Sequence, residues 1–259
     1  MLTRDDGAAG RNFLTPEIAE VARKRVAQGR GTVEPFRLFH NMLSSQPMCF
    51  NLFGPLVNDH ALAARFLAPL VPEPVHEVTR VSIEWAPEPA EAYLGDRTAF
   101  DAFFEYRTSD GRLCAAGVET KLTEPFSQNE YDGDRYRRWM RVPSAPWLPE
   151  ADAVVQNIAH NQLWRDHLLA VALRHHPRSP YAATHLILVR HPEDRDCGFV
   201  LAGYQRLLRE HDQTLIDMPL DRLVAAWERS VDGHLRNWLS DFRVRYLDLA
   251  RSAGLSSIE

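Results

Sequence analysis

The chain has 259 residues and a formal net charge of −5, with 45% hydrophobic and 25% charged residues. These proportions suit a folded globular chain, and they exclude a protein that holds nucleic acid or an anionic membrane by bulk positive charge. No apolar run reaches the roughly 18 residues that a transmembrane helix needs, and Met1 to Arg11 lacks the apolar stretch of a secretory signal. Cys49, Cys114 and Cys197 form an odd, widely spaced set that makes neither a disulfide framework nor a zinc site. They read as small buried hydrophobes in a reducing cytoplasm.

The first 14 residues read as a frayed tail. Pro16 to Gln28 reads as a helix capped by Thr15, with Gly29-Arg30-Gly31 as its stop. Pro35 to Phe53 is apolar at helical spacing, with Pro47 expected to break or kink it. Asn58 then caps a short helix, Asp59 to Leu70. Three strands follow: Val75 to Trp85, Thr98 to Thr108 and Arg112 to Thr123. Glu124 to Pro149 is polar, holds four prolines and shows no period, so it reads as one long loop. Ala151 to His176 is a helix, Tyr181 to Arg190 a buried strand, and everything from about Cys197 to position 253 reads as helical. This order implies one α/β (α+β) domain with a mixed central sheet. Its core would run from about 59 to 190, with flanking N- and C-terminal helices.

The turn between the second and third strands fixes more than a connection. Ser109-Asp110-Gly111 permits a two-residue or a three-residue hairpin loop. One step of register flips every side chain to the other face. The three-residue loop puts Phe100, Ala102, Phe104 and Tyr106 on one apolar face with Cys114, Ala116 and Val118. The two-residue loop would mix Glu119 and Lys121 into those aromatics, so the three-residue register is preferred. It sets Asp101 opposite Glu119, with Lys121 two residues further on. Two carboxylates roughly 5 Å apart repel by about 3 kcal/mol at an effective dielectric of 20. Such a pair calls for a raised pKa or for a cation between its members, and a hard divalent ion such as Mg²⁺ takes oxygen ligands of this kind.

Asp101 followed by Glu119-Thr120-Lys121 across a hairpin resembles the D…(D/E)-x-K signature of the PD-(D/E)XK nuclease superfamily. The surrounding order of helix, three strands, helix and strand is similar to that family's restriction-endonuclease-like core. Phe100 stands where the motif often has Pro. The segments Asn41 to Gln46 and Phe50 to Phe53 resemble a bacterial subfamily of uncharacterised endonucleases. The resemblance implies a Mg²⁺-dependent endonuclease, with Mn²⁺ able to substitute. Asp101, Glu119 and the backbone carbonyl of Thr120 would hold the metal, and Lys121 would orient water or stabilise developing charge. DNA is the implied partner with RNA left open; no membrane is implied, and a homodimer is one open arrangement. Related nucleases carry a Gln or a basic residue on the helix after the third strand, which points to Gln162 as catalytic and to Arg165 as a phosphate contact.

Arg135, Arg137, Arg138 and Arg141 are interleaved with Tyr131, Tyr136 and Trp139, a composition that suits phosphates and unstacked bases. The competing reading is a solvated loop paired with Asp132 and Asp134. Glu84 is an extra candidate ligand, read more simply as a solvated strand end. Glu105 and Gln46 are weaker candidates. The histidines have no ligand partners at metal spacing and read as structural. The alternative function is a nuclease-like fold that grips nucleic acid or protein without cutting, and a helical interaction protein is a third.

Overall fold

The computed structural model describes residues 1–29, 33–155 and 158–248. The helices α1 (Arg4–Ala8), α2 (Pro16–Ala27), α3 (Pro35–His40), α4 (Ser45–Phe53) and α5 (His60–Leu67) precede the strands β1 (Val75–Trp85), β2 (Phe100–Thr108) and β3 (Leu113–Lys121). Then come α6 (Asp134–Met140), α7 (Ala151–Val154), α8 (Ile158–His175), β4 (Ala183–Arg190), α9 (Arg195–Gln205), β5 (Leu215–Pro219), α10 (Leu220–Glu228) and α11 (Gly233–Tyr246). The five strands form one mixed sheet in the order β1-β2-β3-β4-β5. The first two pairings are antiparallel and the last two parallel.

The hairpin has the three-residue loop. Arg107 pairs with Leu113 and Tyr106 with Cys114, Thr108 N–H donates to the Arg112 carbonyl, and Gly111 takes φ 84°. That φ favours glycine and closes the loop with a bulge.

Helices cover both faces of the sheet. One core joins α2, α4, α5, α10 and α11 to Ala102, Phe104, Tyr106, Ala116, Val118, Ile187 and Val189. The other joins α6, α8 and α9 to Phe103, Ala115, Leu186 and Leu188. The alternation in β2 fails at its first residue. Phe100 belongs to the second core, stacked in one group with Trp85 and Phe103, and not beside Ala102 as the period of two implied. Gly117 makes room for it, because a Cβ there would lie 2.5 Å from the Phe100 ring. Gly117→Ala is therefore expected to cost about 1–3 kcal/mol of stability through overpacking, read from urea unfolding midpoints.

Several sequence expectations are corrected by tertiary contacts. The first residues are not frayed: α1 is capped by Thr3 and tied to α3 through Leu2 N–H and the His40 carbonyl, while Asn12 is fully buried. The Pro35 to Phe53 stretch breaks at residues 41–44, ahead of Pro47, which sits in the first turn of α4, where a missing N–H costs nothing. The cap of α5 is Asp59 and not Asn58. The long polar segment contains α6, whose Tyr136 and Trp139 are buried against the α8 side of the molecule. Its two buried rings are too few for a helical period to be visible.

The segment after Cys197 is not helical throughout. Leu215 to Pro219 is a parallel edge strand on β4, held at its start by Asp212, which accepts from Thr214 and Leu215 N–H. The core thus extends well beyond residues 59–190. The predicted helix from Ala151 shows as α7 and α8, and its continuity at 156–157 falls outside the described residues, as does the predicted helical tail beyond 248. No helix among the described residues is long and apolar enough to cross a membrane.

Candidate active site

Three carboxylates lie in one row across the sheet. Ile83 pairs with Ala102 and Trp85 with Phe100, so Glu84 falls opposite Asp101; Ala102 pairs with Val118, so one step further Asp101 falls opposite Glu119. Neighbouring strands are about 4.8 Å apart, which brings the three acids together at one end of the sheet. Glu84 and Glu119 are 3% and 5% exposed. The solvated strand end expected for Glu84 is therefore replaced by a buried carboxylate. Its backbone sits at φ 55°, a left-handed conformation that costs a non-glycine residue about 1 kcal/mol or more. Gln46 Nε2 donates to Glu84 Oε1 at 2.7 Å, and Arg25 donates to the Glu84 carbonyl.

Each acid is held by a different element. The Asp101 carboxylate accepts from Thr120 N–H at 2.8 Å and from the Thr120 hydroxyl at 2.5 Å. Glu119 Oε1 accepts from the Lys121 ammonium at 3.0 Å and from Gln162 Nε2 at 2.7 Å. Lys121 also donates to Gln162 Oε1 at 3.3 Å and lies 4.7 Å from the centre of the Phe126 ring. The Gln162 oxygen takes a second bond, from Ser127 N–H at 2.6 Å. One amide thus fixes Glu119, Lys121 and the start of the following loop. On the other side of the sheet, the N-terminus of α4 is closed by Glu124, which accepts from Ser45 N–H. Cys49 Sγ reaches the Asp101 carbonyl at 3.4 Å.

The electrostatics follow from burial and from the mutual repulsion of the carboxylates. Burial pushes Asp101 well above the ordinary carboxylate range, and Glu119 and Glu84 push it further against the two Thr120 bonds. Burial raises Glu119 to about 7; Lys121 opposes this, while Asp166 and Glu84 add to it. Burial works against the Lys121 charge, but Glu119, Asp101 and Asp166 outweigh it and hold the ammonium above its usual value.

Asp166 escaped the sequence reading. It stands one turn beyond Gln162 on α8, is 3% exposed, and its Oδ2 has no hydrogen-bond partner. Burial raises it to about 7, with Arg165 and Lys121 opposing and Asp101 and Asp96 adding. The i, i+4 spacing from Gln162 was the one signal that could have found it. Such a carboxyl stabilises the fold when protonated and destabilises it as pH rises through about 7. Asp166→Asn is therefore expected to raise the thermal midpoint on the alkaline side of that value and to change it little well below. Melting curves across the pH range check this.

Among the described residues no three His, Cys, Asp or Glu side chains form a ready-made metal cluster. The donor set nevertheless fits a hard divalent ion. Asp101 and Glu119 would supply oxygen donors; Glu119, Asp101 and Asp166 bear on the Lys121 ammonium, and Glu84 bears on Asp101 and Glu119. Mg²⁺ needs only one or two carboxylates, with water and phosphate completing its shell.

The other predicted residues lie elsewhere. Arg165 is buried: it pairs with Asp96 at 3.2 Å, donates to Thr98 and lies 3.9 Å from the centre of the Tyr131 ring. These partners use its guanidinium to brace the approach to β2 from within. Arg137 is committed to Asp132 and Asp152. Arg135 lies over Tyr136 and donates to the Gly95 carbonyl, whereas Arg138 lies over Trp139 and donates to the carbonyls of Ala92 and Tyr93. Arg135, Arg138 and Arg141 are exposed. Glu105 is further down β2, bonded to the hydroxyls of Thr79 and Tyr181.

A family model described as the PD-(D/E)XK nuclease superfamily matches residues 1–248. The chain belongs to the PD-(D/E)XK nuclease superfamily. The match covers nearly the whole chain, including the terminal helices that build the α2–α11 core. Neither a curated protein nor a solved structure matches it. The mixed five-stranded sheet with helices on both faces is consistent with the restriction-endonuclease-like fold of this superfamily, whose members are in general metal-dependent nucleases.

Proposed function

We propose that the chain is a metal-dependent endonuclease that hydrolyses DNA phosphodiester bonds. The observation that carries this reading is the carboxylate row Glu84, Asp101 and Glu119, buried at its two glutamates and half-buried at Asp101, ending on Lys121. Mg²⁺ or Mn²⁺, held by Asp101, Glu119 and the Thr120 carbonyl, would polarise a phosphodiester oxygen and acidify water. Thr120 orients Asp101 through two donated bonds, which fixes one ligand oxygen before any ligand arrives. Gln162 holds Glu119 and Lys121 in fixed relation, and Lys121 places a positive charge where negative charge develops on the phosphate. Burial strengthens that interaction by excluding water. Exposed Arg135, Arg138 and Arg141, on and beside α6 and away from the carboxylate row, would supply phosphate contacts.

Incubation of the purified chain with supercoiled, linear and single-stranded DNA and with RNA, with Mg²⁺ or Mn²⁺, tests the reading. Cleavage that chelation abolishes is expected. Wild type inert on all substrates in both metals would overturn it in favour of a module that binds without cutting.

A further inference from the structure

A groove of about 600 Å³ runs along the open edge of β1, between α2 and the strand. Lys24 and Arg25 of α2 line one wall, and Arg80 and Trp85 of β1 line the floor. Tyr93 and Tyr181 close the far side. This groove is distinct from the arginine cluster on α6, although Arg138 supports it from behind by holding the Tyr93 carbonyl at 2.7 Å.

We propose that this groove receives a short unpaired segment of nucleic acid adjoining the cleavage site, so that the preferred substrate has single-stranded character. The proposal rests on the nuclease reading and adds the form of the substrate. Continuity is the first support. Glu84 lies in the carboxylate row and Trp85, the next residue, lies in the groove. Arg25 lines the groove and donates to the Glu84 carbonyl, so the groove wall touches the backbone of the carboxylate row there.

Charge is the second support. Among the described residues, Lys24, Arg25 and Arg80 face one carboxylate in the lining, that of Glu88, and Lys24 also pairs with Glu20 beside the groove at 3.7 Å, so the lining stays positive on a chain whose net charge is −5. The local sign is opposite to the global one, as phosphate binding requires. The third support is the presence of aromatic rings. Trp85 is half-buried and stacked on Phe103 at 4.0 Å with 12° between planes, and Tyr93 and Tyr181 are half-buried too. Rigid rings beside cations are the usual platform for unstacked bases, because every base has a stacking face whatever its sequence. Size is the fourth. A space of about 600 Å³ lies within the roughly 300–1,000 Å³ of clefts for small ligands, which admits bases and not a duplex.

Binding is measured without cleavage, on the full chain with EDTA present, by anisotropy of labelled oligothymidylate, oligouridylate and a blunt duplex. Both single strands are expected to bind about tenfold more tightly than the duplex, with quenching of tryptophan fluorescence. The double variant Lys24→Gln/Arg80→Gln changes two exposed side chains outside the carboxylate row. It is expected to lose most of the oligonucleotide affinity and to reduce the salt slope by about 1.4, the value for two single-strand phosphate contacts. Trp85→Phe is expected to keep affinity while the quench disappears.

Equal or tighter duplex binding, or a double variant that binds as wild type does, overturns the proposal. The nuclease reading is read separately, from plasmid cleavage. Cleavage with no single-strand preference sinks the groove alone. Groove-dependent oligonucleotide binding with no cleavage in any metal sinks the nuclease reading alone.

Discussion

Lys121→Ala is expected to lower metal-dependent DNA cleavage by roughly 10²–10³-fold, the usual loss when one preorganised charge donor is removed from a buried site. The loss should fall on kcat rather than on DNA affinity, since Lys121 is 6% exposed and bonds to Glu119 and Gln162. Removing one member of a buried ion pair ordinarily costs 3–5 kcal/mol, as a rough guide. Here Glu119 is already raised to about 7 by burial. It can take a proton once Lys121 is gone, so the folded state should survive, which circular dichroism checks. Lys121→Arg is expected to restore little, because the ammonium sits between a carboxylate, an amide and the Phe126 ring. A planar guanidinium does not fit the same three partners as a compact ammonium does. Undiminished cleavage by Lys121→Ala would remove this residue from the mechanism.

Divalent metal is expected to stabilise the protein in a strongly pH-dependent way. Glu119 is raised from 4.5 to about 7, and Asp101 is raised well above its ordinary value. A carboxyl with a raised folded pKa contributes stability that is complete below its unfolded value and is lost as pH rises through the folded one. Without metal, the Glu119 contribution is therefore lost between about 4.5 and about 7. A cation bound to the ionised pair reverses the loss. At a hundredfold excess over its dissociation constant it adds about 2.7 kcal/mol. For a chain of this size that is roughly 5–10 °C in Tm. Well below pH 4.5 protons hold the ligand oxygens, and the shift should vanish. Asp101→Asn should raise the metal-free Tm on the alkaline side and cancel the metal response. A shift that is independent of pH, or that persists in Asp101→Asn, would place the ion elsewhere. Calorimetry with Mg²⁺ and Mn²⁺ across the pH range provides the measurement.

Local chemistry in the sequence was sufficient for the hairpin. The Asp110-Gly111 turn and a period of two fixed the register of β2 on β3, and with it the approach of Asp101 to the Glu119-Thr120-Lys121 strand. These are short-range rules, and they hold wherever a strand is free to alternate. Phe100 shows their limit: its ring crosses to the other core because Gly117 leaves space there, which depends on a different strand.

Elements with weak periods were lost for the same reason. The five residues of β5 are a strand only because β4 offers a parallel edge, and α6 is a helix that buries just Tyr136 and Trp139. The arginines beside those rings looked like a phosphate patch, but composition cannot reveal that Arg137 and Arg165 are consumed by Asp132, Asp152 and Asp96.

By itself, the sequence determined the alternation of β2 and β3, the hairpin loop between them and the chemical identity of Asp101, Glu119 and Lys121. Only the tertiary structure decided that Glu119 and Lys121 are buried and Asp101 half-buried, that Glu84 completes their row, and that Gln46, Gln162 and Asp166 converge on it from α4 and α8. The physical reason is the range of the forces involved. Turn geometry and side-chain alternation act over a few residues. Desolvation and the repulsion among four carboxylates arise only when β1, β2, β3 and α8 come together and exclude water.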